Sequence, residues 1–325
     1  MEKQRHIDRD DDGIRLDRWF KRHYPALTHG RLEKLLRTGQ VRLAGKRAKA
    51  SDRVEAGQVL RLPPEVLHIA AEEKPRAAAV KGESLEAHVL YMDGAVIVLN
   101  KPPGLATQGG SGLTKHVDGM LDSLAFDKKQ RPRLVHRLDR DTSGVLVVAR
   151  TVPAAAALAK SLAQRDASKI YWALTRGVPA KAHGTIKAAL AKEGVRGRDE
   201  RMEVSDADDA KHAITDYVVL GHAGEEFAWV AAKPVTGRTH QIRVHLASLG
   251  TPIVGDFKYG GAESRGSGAV ADKLHLHART IDIAHPDGGR LRVTAPLPPH
   301  MKKTWALFGF DADSETDPFA KARKK

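Results

Sequence analysis

The chain of 325 residues contains no cysteine. Disulfide bonds, thiolate metal sites and catalysis by a cysteine nucleophile are therefore excluded. No apolar run approaches the roughly 20 residues that a membrane-spanning helix needs, and the first twenty residues are too charged for a secretory signal. These absences predict a cytoplasmic protein that does not enter a membrane.

Metal and cofactor sites are also poorly supported. The chain has sixteen histidines, but the pairs His240 with His245 and His275 with His277 are separated by five and two residues. Neither spacing suits one helical face, and the basic neighbours oppose a cation. The glycine-rich segment 109–112 lacks the Gly-Lys-Ser/Thr helix start of a phosphate loop. We expect no metal and no cofactor, and structural or phosphate-facing histidines.

Positive charge dominates the composition and is unevenly distributed. The chain has 54 Lys and Arg against 40 Asp and Glu, a net charge of +14. Between Ile14 and Pro63 we count 13 basic and four acidic residues, an excess of nine. Leucine and aromatic residues recur at helical spacing in the same segment, which predicts a small folded RNA-binding module. The expected phosphate contacts are Arg31, Lys34, Arg37, Lys46 and Arg47.

Composition along the chain predicts two folded domains. Charged, aperiodic sequence at both ends is typical of disorder, and an Ala-, Lys- and Glu-rich segment between the domains is typical of a linker. We expect a monomer. The predicted parts are a disordered N-terminus (1–12), an RNA-binding domain (13–68), a linker (69–84), a catalytic domain (85–310) and a disordered basic tail (311–325).

The most informative stretch is the charged nonapeptide His136–Gly144, which precedes the apolar run Val145–Ala149. The apolar run predicts a buried strand, so the nonapeptide is expected to be a turn held against a sheet. Leu138 is its one large apolar residue and would anchor the turn. Asp139 would then be a carboxylate fixed by its backbone, although an Asp in such a turn can also serve only as a cap.

A second segment predicts a short helix that begins after the N-cap candidate Thr239 and stops at Gly250. Arg243 lies off the apolar stripe of this helix. Its guanidinium can face solvent or reach a distant carboxylate and keep it ionised. The stripe consists of Ile242, Leu246 and Leu249.

The catalytic part alternates strand-like runs with two helices, one after Pro153 and one after Thr239. Two of the runs, 214–220 and 227–232, are joined by four residues, which favours a hairpin. We therefore expect an α+β fold with mainly antiparallel pairing. The remaining strand-like runs are 95–99, 145–149 and 170–174.

Five ordered motifs resemble those of the RluA-like family of pseudouridine synthases. Segment 136–144 matches the signature His-Arg-Leu-Asp, two variable residues, Thr-Ser/Thr-Gly at every fixed place. The other motifs are Asn100–Gly104, Ser168–Leu174, Thr236–Gly260 and Leu274–Ala278. Within them the supporting residues are Asn100, Lys101, Pro102, His136, Thr142, Gly144, Arg238 and His240.

The resemblance implies a mixed, mainly antiparallel sheet and a role for four side chains. Asp139 would be the nucleophile or charge stabiliser beside the anomeric carbon, and Arg243 would pair with it. Tyr171 would stack on the uracil. Because a folded RNA hides the sugar–base bond, the uridine must be flipped out, and Arg137 would occupy the vacated space.

The substrate implied by the resemblance is large-subunit (23S) ribosomal RNA or a ribosome-assembly intermediate. Segments 104–113 and 140–143 resemble the branch that modifies several uridines there, although Thr107-Gln108 departs from its pattern and the insert 260–268 is long. The basic module resembles the RNA-binding domain of ribosomal protein S-four. Other members of the family act on transfer RNA or on different ribosomal uridines.

Three other classes of protein fit the sequence less well. A uridine carbon-5 methyltransferase ordinarily needs a cysteine, which is absent. A non-catalytic RNA-binding protein would need only the basic module. A glycosidase could use Asp139 and Asp141 as its carboxylate pair, but only 5% of the residues are aromatic, and carbohydrate sites favour aromatic platforms.

Overall fold

The computed structural model describes residues 3–8, 11–24, 27–66, 84–109, 115–127, 130–164, 166–193, 201–207 and 210–320. The chain divides into two compact units, Met1–Lys81 and Gly82–Lys325. The predicted linker 69–84 lies outside the described residues, except for Ser84. Across the described ranges, no helix combines the length and apolar character that crossing a membrane requires.

The first unit packs two helices against a four-stranded sheet. Leu16, Trp19 and Phe20 form the buried face of α1, and a leucine triplet forms that of α2, as their spacing predicted. The sheet has the order β1-β4-β2-β3. The elements are β1 (Lys3–His6), α1 (Leu16–His23), α2 (His29–Arg37), β2 (Arg42–Leu43), β3 (Lys46–Arg47) and β4 (Val59–Leu62).

The N-terminus is not disordered over the described part of 1–12, so that prediction is wrong there. Lys3–His6 pairs antiparallel with β4, and Ile7 is buried in the core of the unit. Asp11 is also buried and forms ion pairs with Arg22 and His23. These contacts come from residues distant in sequence, which local composition does not reveal.

The second unit is built on one mixed sheet of eleven strands. Its main path runs β11-β10-β12-β13-β9-β14-β8-β6-β5, with β15 beside β14 and β7 beside β8. The predicted hairpin is β12 and β13, which pair antiparallel. The strands are β5 (Val89–Met92), β6 (Val96–Lys101), β7 (Arg133–Leu134), β8 (Ser143–Ala149), β9 (Ser168–Arg176), β10 (His183–Glu193), β11 (Arg201–Val204), β12 (Lys211–Ala223), β13 (Phe227–Pro234), β14 (Leu276–Ala284) and β15 (Arg290–Thr294).

The helices of this unit include both predicted ones. Thr151 caps α4 by accepting a hydrogen bond from the backbone N–H of Ala154, and a proline occupies the first turn. Short 3₁₀ segments cover Glu86–His88, Leu121–Leu124 and Gly261–Ser264. The α-helices are α3 (Val117–Met120), α4 (Val152–Ala163), α5 (Gln241–Ser248) and α6 (Pro299–Phe308).

The pair β14–β8 is parallel, whereas the other pairs of this sheet are antiparallel. The close approach occurs at Gly144, where φ is +108° and an added Cβ would lie 2.2 Å from the carbonyl oxygen of Ala278. Only glycine fits there. The glycine of the nonapeptide therefore places the start of β8, and the turn before it, directly beside β14.

The predicted disordered tail is also corrected over 311–320, while 321–325 lie outside the described residues. Phe319 is buried and belongs, with Trp305, to the apolar cluster around α6. Arg279 donates a hydrogen bond to the carbonyl oxygen of Ser314 and so fastens the segment to β14. A charged segment is thus held by one aromatic anchor and by backbone contacts.

Candidate active site

A cavity of about 290 Å³ opens between the nonapeptide, β9 and the start of α5. Asp139 contributes its carboxylate from the turn, and Lys169 and Tyr171 line the wall from β9, two residues apart as one strand face requires. His240 and Arg243 complete the lining from α5. The structure thus brings together all three side chains that the sequence singled out for catalysis.

The turn that carries Asp139 is fixed from both sides. Leu138 is buried, as predicted, and the Thr107 hydroxyl donates to its carbonyl oxygen at 2.6 Å while accepting from its N–H at 3.1 Å. His136 Nε2 accepts a hydrogen bond from the backbone N–H of Val147 in β8 at 2.8 Å. Because burial lowers the pKa of His136 to about 4, the ring is neutral and can accept this bond.

Lys101 ties the preceding motif to the same turn. Its side chain is buried, and its amine donates to the carbonyl oxygens of Pro102, Leu105 and Arg140 at 2.8–2.9 Å. Burial lowers the pKa of Lys101 to about 7, an effect that nearby aspartates oppose. Three acceptors match the three protons of an ammonium group, so the hydrogen bonds favour the charged form.

Arg243, the expected partner of Asp139, is bound more closely by a second carboxylate, that of Asp256. Arg243 Nη1 lies 3.9 Å from Asp139 Oδ2, too far for a hydrogen bond. Its Nε and Nη2 atoms each donate to the carboxylate of Asp256 at 2.7 Å. Arg243 and Asp139 therefore form the predicted ion pair, but without a hydrogen bond: Asp256 orients the guanidinium, whose remaining face supplies positive charge beside Asp139.

His240 is a second nitrogen group beside Asp139, with Nε2 at 3.8 Å from Oδ1. Its φ of +54° is left-handed, and it occupies the N-cap of α5, so the prediction that Thr239 caps this helix is wrong. The Nδ1 atom lies 2.6 Å from the hydroxyl oxygen of Tyr259. Burial lowers the pKa of His240, while the charge of Asp139 opposes this effect. A strained backbone at this point holds the ring over the cavity.

Tyr171 and Lys169 give the cavity wall an aromatic ring and an amine. Burial raises the pKa of Tyr171, and the negative charge of Asp139 adds to the effect, so the hydroxyl stays protonated. Burial lowers the pKa of Lys169. Within the described part of the chain, the Lys169 amine has neither a hydrogen bond nor an ion pair, which leaves it available to a ligand.

Two exposed arginines lie at the mouth of the cavity. Arg137 lines it next to Asp139, and Arg238 lines it from the segment before α5 while donating to the carbonyl oxygen of His212. Because both side chains are exposed, each can contact an anionic polymer without a change in the backbone that carries it. The carboxylate of Asp141 is not part of this lining and pairs with Arg140.

The other motif residues are structural in this arrangement. Asn100 donates to the carbonyl oxygen of Pro296, and the Pro102 carbonyl accepts from Lys101. Thr142 is buried, and its hydroxyl has no hydrogen-bond partner in the described ranges. Leu249, predicted to lie on the apolar stripe of α5, is exposed because the chain already turns at Gly250.

Apart from His240, the histidines of the two pairs are buried in the core. The ring of His275 is hydrogen-bonded to the carbonyl oxygen of Lys273 and to the hydroxyl of Thr304. The ring of His277 is hydrogen-bonded to the hydroxyl of Ser143 and to the carbonyl oxygen of Ala295, and that of His245 to the hydroxyl of Thr215. Burial lowers the pKa of His275 to about 4 and that of His277 to about 3. In the described ranges, no group of three His, Cys, Asp or Glu residues could hold a metal ion.

Comparison with known proteins identifies the family of this chain. Residues 95–248 match the family model described as RNA pseudouridylate synthase. Over 91% of this chain and 93% of its own, the ribosomal large subunit pseudouridine synthase C of Escherichia coli is 35% identical. The chain belongs to the RNA pseudouridylate synthase family. It is therefore an isomerase that converts uridine in RNA to pseudouridine.

Two further relatives agree with this assignment. The mitochondrial RNA pseudouridine synthase 4 of Arabidopsis thaliana is 34% identical over 89% of this chain and 78% of its own. The solved structure of human RNA pseudouridylate synthase domain containing 4 superposes with a TM-score of 0.59 and 28% identity. It covers 70% of this chain and 95% of its own, and it supports the α+β fold that the sequence predicted.

The predicted RNA contacts of the first unit are exposed in this synthase but are not equivalent. Lys34, Arg37, Lys46 and Arg47 are exposed, whereas the exposed Arg31 already pairs with Glu65 at 2.6 Å. Their role in RNA binding stays a prediction, as does the likeness of this unit to ribosomal protein S-four.

Sequence reasoning missed several side chains of the site. Asp256 belongs to a recognised motif, but nothing local shows that it binds Arg243. Tyr259 packs its ring 4.9 Å from the Arg243 guanidinium, and Thr107 was noted only as a departure from the family pattern. The signal for Lys169 was its position two residues before Tyr171 in a strand.

Proposed function

We propose that this RNA pseudouridine synthase modifies uridines of large-subunit (23S) ribosomal RNA, free or in a ribosome-assembly intermediate. The observation that carries the proposal is the 35% identity, over nine-tenths of the chain, with an enzyme whose name specifies the ribosomal large subunit. The basic first unit supports a large RNA target, because phosphate contacts give affinity with little sequence choice.

The proposed reaction exchanges one bond to the anomeric carbon of the ribose for another. The bond from this carbon to N1 of uracil breaks, and a bond to C5 forms. The proton on C5 leaves and N1 gains one, so no co-reactant is consumed. Asp139 acts as the nucleophile or charge stabiliser, since a carboxylate can attack carbon or stabilise an oxocarbenium-like centre.

The neighbours of Asp139 have separate tasks in this proposal. Arg243, oriented by Asp256, places positive charge beside the carboxylate of Asp139. Tyr171 stacks on the flipped uracil, and its protonated hydroxyl is available as a donor. Arg137 fills the space that the uridine vacates, because a planar guanidinium stacks on bases and also reaches phosphates.

A monomer in the cytoplasm is the proposed working form. The chain carries one complete set of Asp139, Tyr171 and Arg243 around one cavity, so no second copy is needed to build the site. The absence of cysteine suits a reducing compartment.

Pseudouridine mapping of total RNA from cells that lack this protein tests the target. We expect one or a few signals to disappear from 23S ribosomal RNA and to return with the wild-type gene but not with Asp139→Asn. Loss confined to transfer RNA or to small-subunit ribosomal RNA would contradict the proposed target while leaving the enzyme class intact. Release of free uracil would instead indicate a glycosidase.

A further inference from the structure

A second cavity adjoins the first. Its volume is about 650 Å³, and it shares Asp139, His240 and Arg243 with the smaller one. The rest of its lining comes from the turn after Pro102, from the Asp139 turn and from segments 255–258 and 272–274. A polymer that places one of its residues in the small cavity can therefore place the adjacent residue in the larger one.

Phe257 gives this second cavity an aromatic wall. The residue is 47% exposed, although a large apolar side chain gains free energy from burial. It directly follows Asp256, whose carboxylate is fixed by two hydrogen bonds to Arg243 and also accepts one from the backbone N–H of Tyr259. The backbone at Phe257 is thus held in place, and the ring is presented to whatever enters the cavity.

Lys273 gives the same cavity a cation that the protein does not neutralise. The residue is exposed, and in the described part of the chain its amine has no ion pair or hydrogen bond. The carboxylates nearby, other than Asp139, are already engaged. Asp256 binds Arg243, Asp141 pairs with Arg140, and Asp272 accepts the backbone N–H of Gly266.

We propose that the second cavity holds the nucleotide next to the target uridine, with its base stacked on Phe257 and a phosphate at Lys273. The proposal rests on the flipped uridine being bound at Asp139. Consecutive nucleotides are joined through one phosphate, so the second cavity, which shares Asp139, His240 and Arg243 with the first, is within reach of a neighbour of a uridine at Asp139. Stacking accepts every base, so a contact of this kind does not depend on the identity of the neighbouring base.

The test compares Phe257→Ala, Phe257→Tyr and the control Phe126→Ala on unmodified 23S transcript. Phe126 is 46% exposed and lines neither cavity. We expect Phe257→Ala to raise KM about tenfold with little change in kcat, which corresponds to about 1.4 kcal/mol and is the size of one stacked base. Tyrosine should restore KM to within about twofold, and the control should behave like wild type.

A synthetic fragment around the uridine that the wild type modifies then locates the contact. An abasic nucleotide on one side of that uridine should raise the wild-type KM about tenfold and leave that of Phe257→Ala unchanged. Lys273→Gln should instead reduce the salt dependence of binding by about 0.7 in the log–log slope. Equal effects of the abasic nucleotide on both proteins, or a wild-type KM in Phe257→Ala, would overturn the proposal.

Failure of the ribosomal target gives a different result. In that case the wild type forms no pseudouridine in 23S transcript, and the same variants are compared on the RNA that it does modify. The proposed role of the second cavity is then decided by the Phe257→Ala and abasic-nucleotide results on that RNA.

Discussion

The two units of the chain use charge in opposite ways. Among the described residues of the first unit, Asp11 is the one buried charged or polar residue, and most of the basic residues face solvent. The second unit buries Lys101, Asp256 and His277 and satisfies each with hydrogen bonds. Affinity for RNA can therefore be spread over many replaceable contacts, whereas the chemistry depends on a few groups that cannot be moved.

The largest effect among variants that keep Asp139 is expected at Arg243. Lysine cannot make the bidentate bond to Asp256, so the charge beside Asp139 loses its orientation. We expect Arg243→Lys to lower kcat about 100-fold with a small change in KM, measured as pseudouridine formed under saturating RNA. Asp256→Asn should act in the same direction.

The control for that variant is Arg290→Lys. Arg290 also binds carboxylates, those of Asp166 and Asp282, but lines neither cavity. It should keep wild-type turnover. A kcat for Arg243→Lys within threefold of wild type would show that its orientation does not matter.

The next effect is on stability, at Lys101. Lys101→Met would leave one buried and two partly buried carbonyl oxygens without their donor, and each buried group left unsatisfied costs about 1–3 kcal/mol. We expect the free energy of unfolding to fall by about 3 kcal/mol or more in urea titrations. The exposed Lys160→Met should change it by less than about 0.5 kcal/mol. Equal stability of the two variants would refute the role given to Lys101.

A smaller effect concerns pH. The pKa of His277 is about 3 in the folded protein and 6.5 ordinarily, so between these values the unfolded chain binds a proton that the folded one does not. Stability must then fall as the pH falls below about 6.5, by up to about 1.4 kcal/mol per pH unit for this residue. His277→Gln should flatten the dependence in urea titrations from pH 7 to 4.5, and the exposed His183→Gln should not. Parallel curves for His277→Gln and wild type would contradict it.

The smallest effects are expected in the first unit. Single substitutions of Lys34, Arg37, Lys46 or Arg47 by Gln should weaken binding of 23S transcript about two- to threefold and lower the salt slope by just under one. Arg31→Gln should do less, because Glu65 already neutralises it. A loss of 50-fold from any one of them would show that affinity is concentrated rather than spread.

The sequence predicted those features of the fold that local sequence patterns control. The apolar run after Gly144 became β8, the hairpin of β12 and β13 formed where alternation and a short turn indicated it, and Leu138 anchors the turn of Asp139. The helix carrying Arg243 was also found, but its start was misplaced because His240 adopts a left-handed backbone that its residue type does not announce.

Contacts between distant residues set the limit of that prediction. Arg243 is hydrogen-bonded to Asp256 and not to Asp139 because of the path that the loop after α5 takes. The spacing of residues along the sequence does not encode that path. The strand Lys3–His6 has no apolar alternation and owes its conformation to β4. Phe319 owes its order to a cluster formed by other elements.

The central claim is that Asp139 performs the chemistry and does not merely hold RNA. Asp139→Asn keeps the shape of the side chain and removes its charge. Turnover of unmodified 23S transcript, measured beside the binding constant of the same protein for that RNA, should fall by about 10⁴-fold or more while the Kd stays within twofold. Turnover above a tenth of the wild-type value, with the Kd intact, would contradict the account.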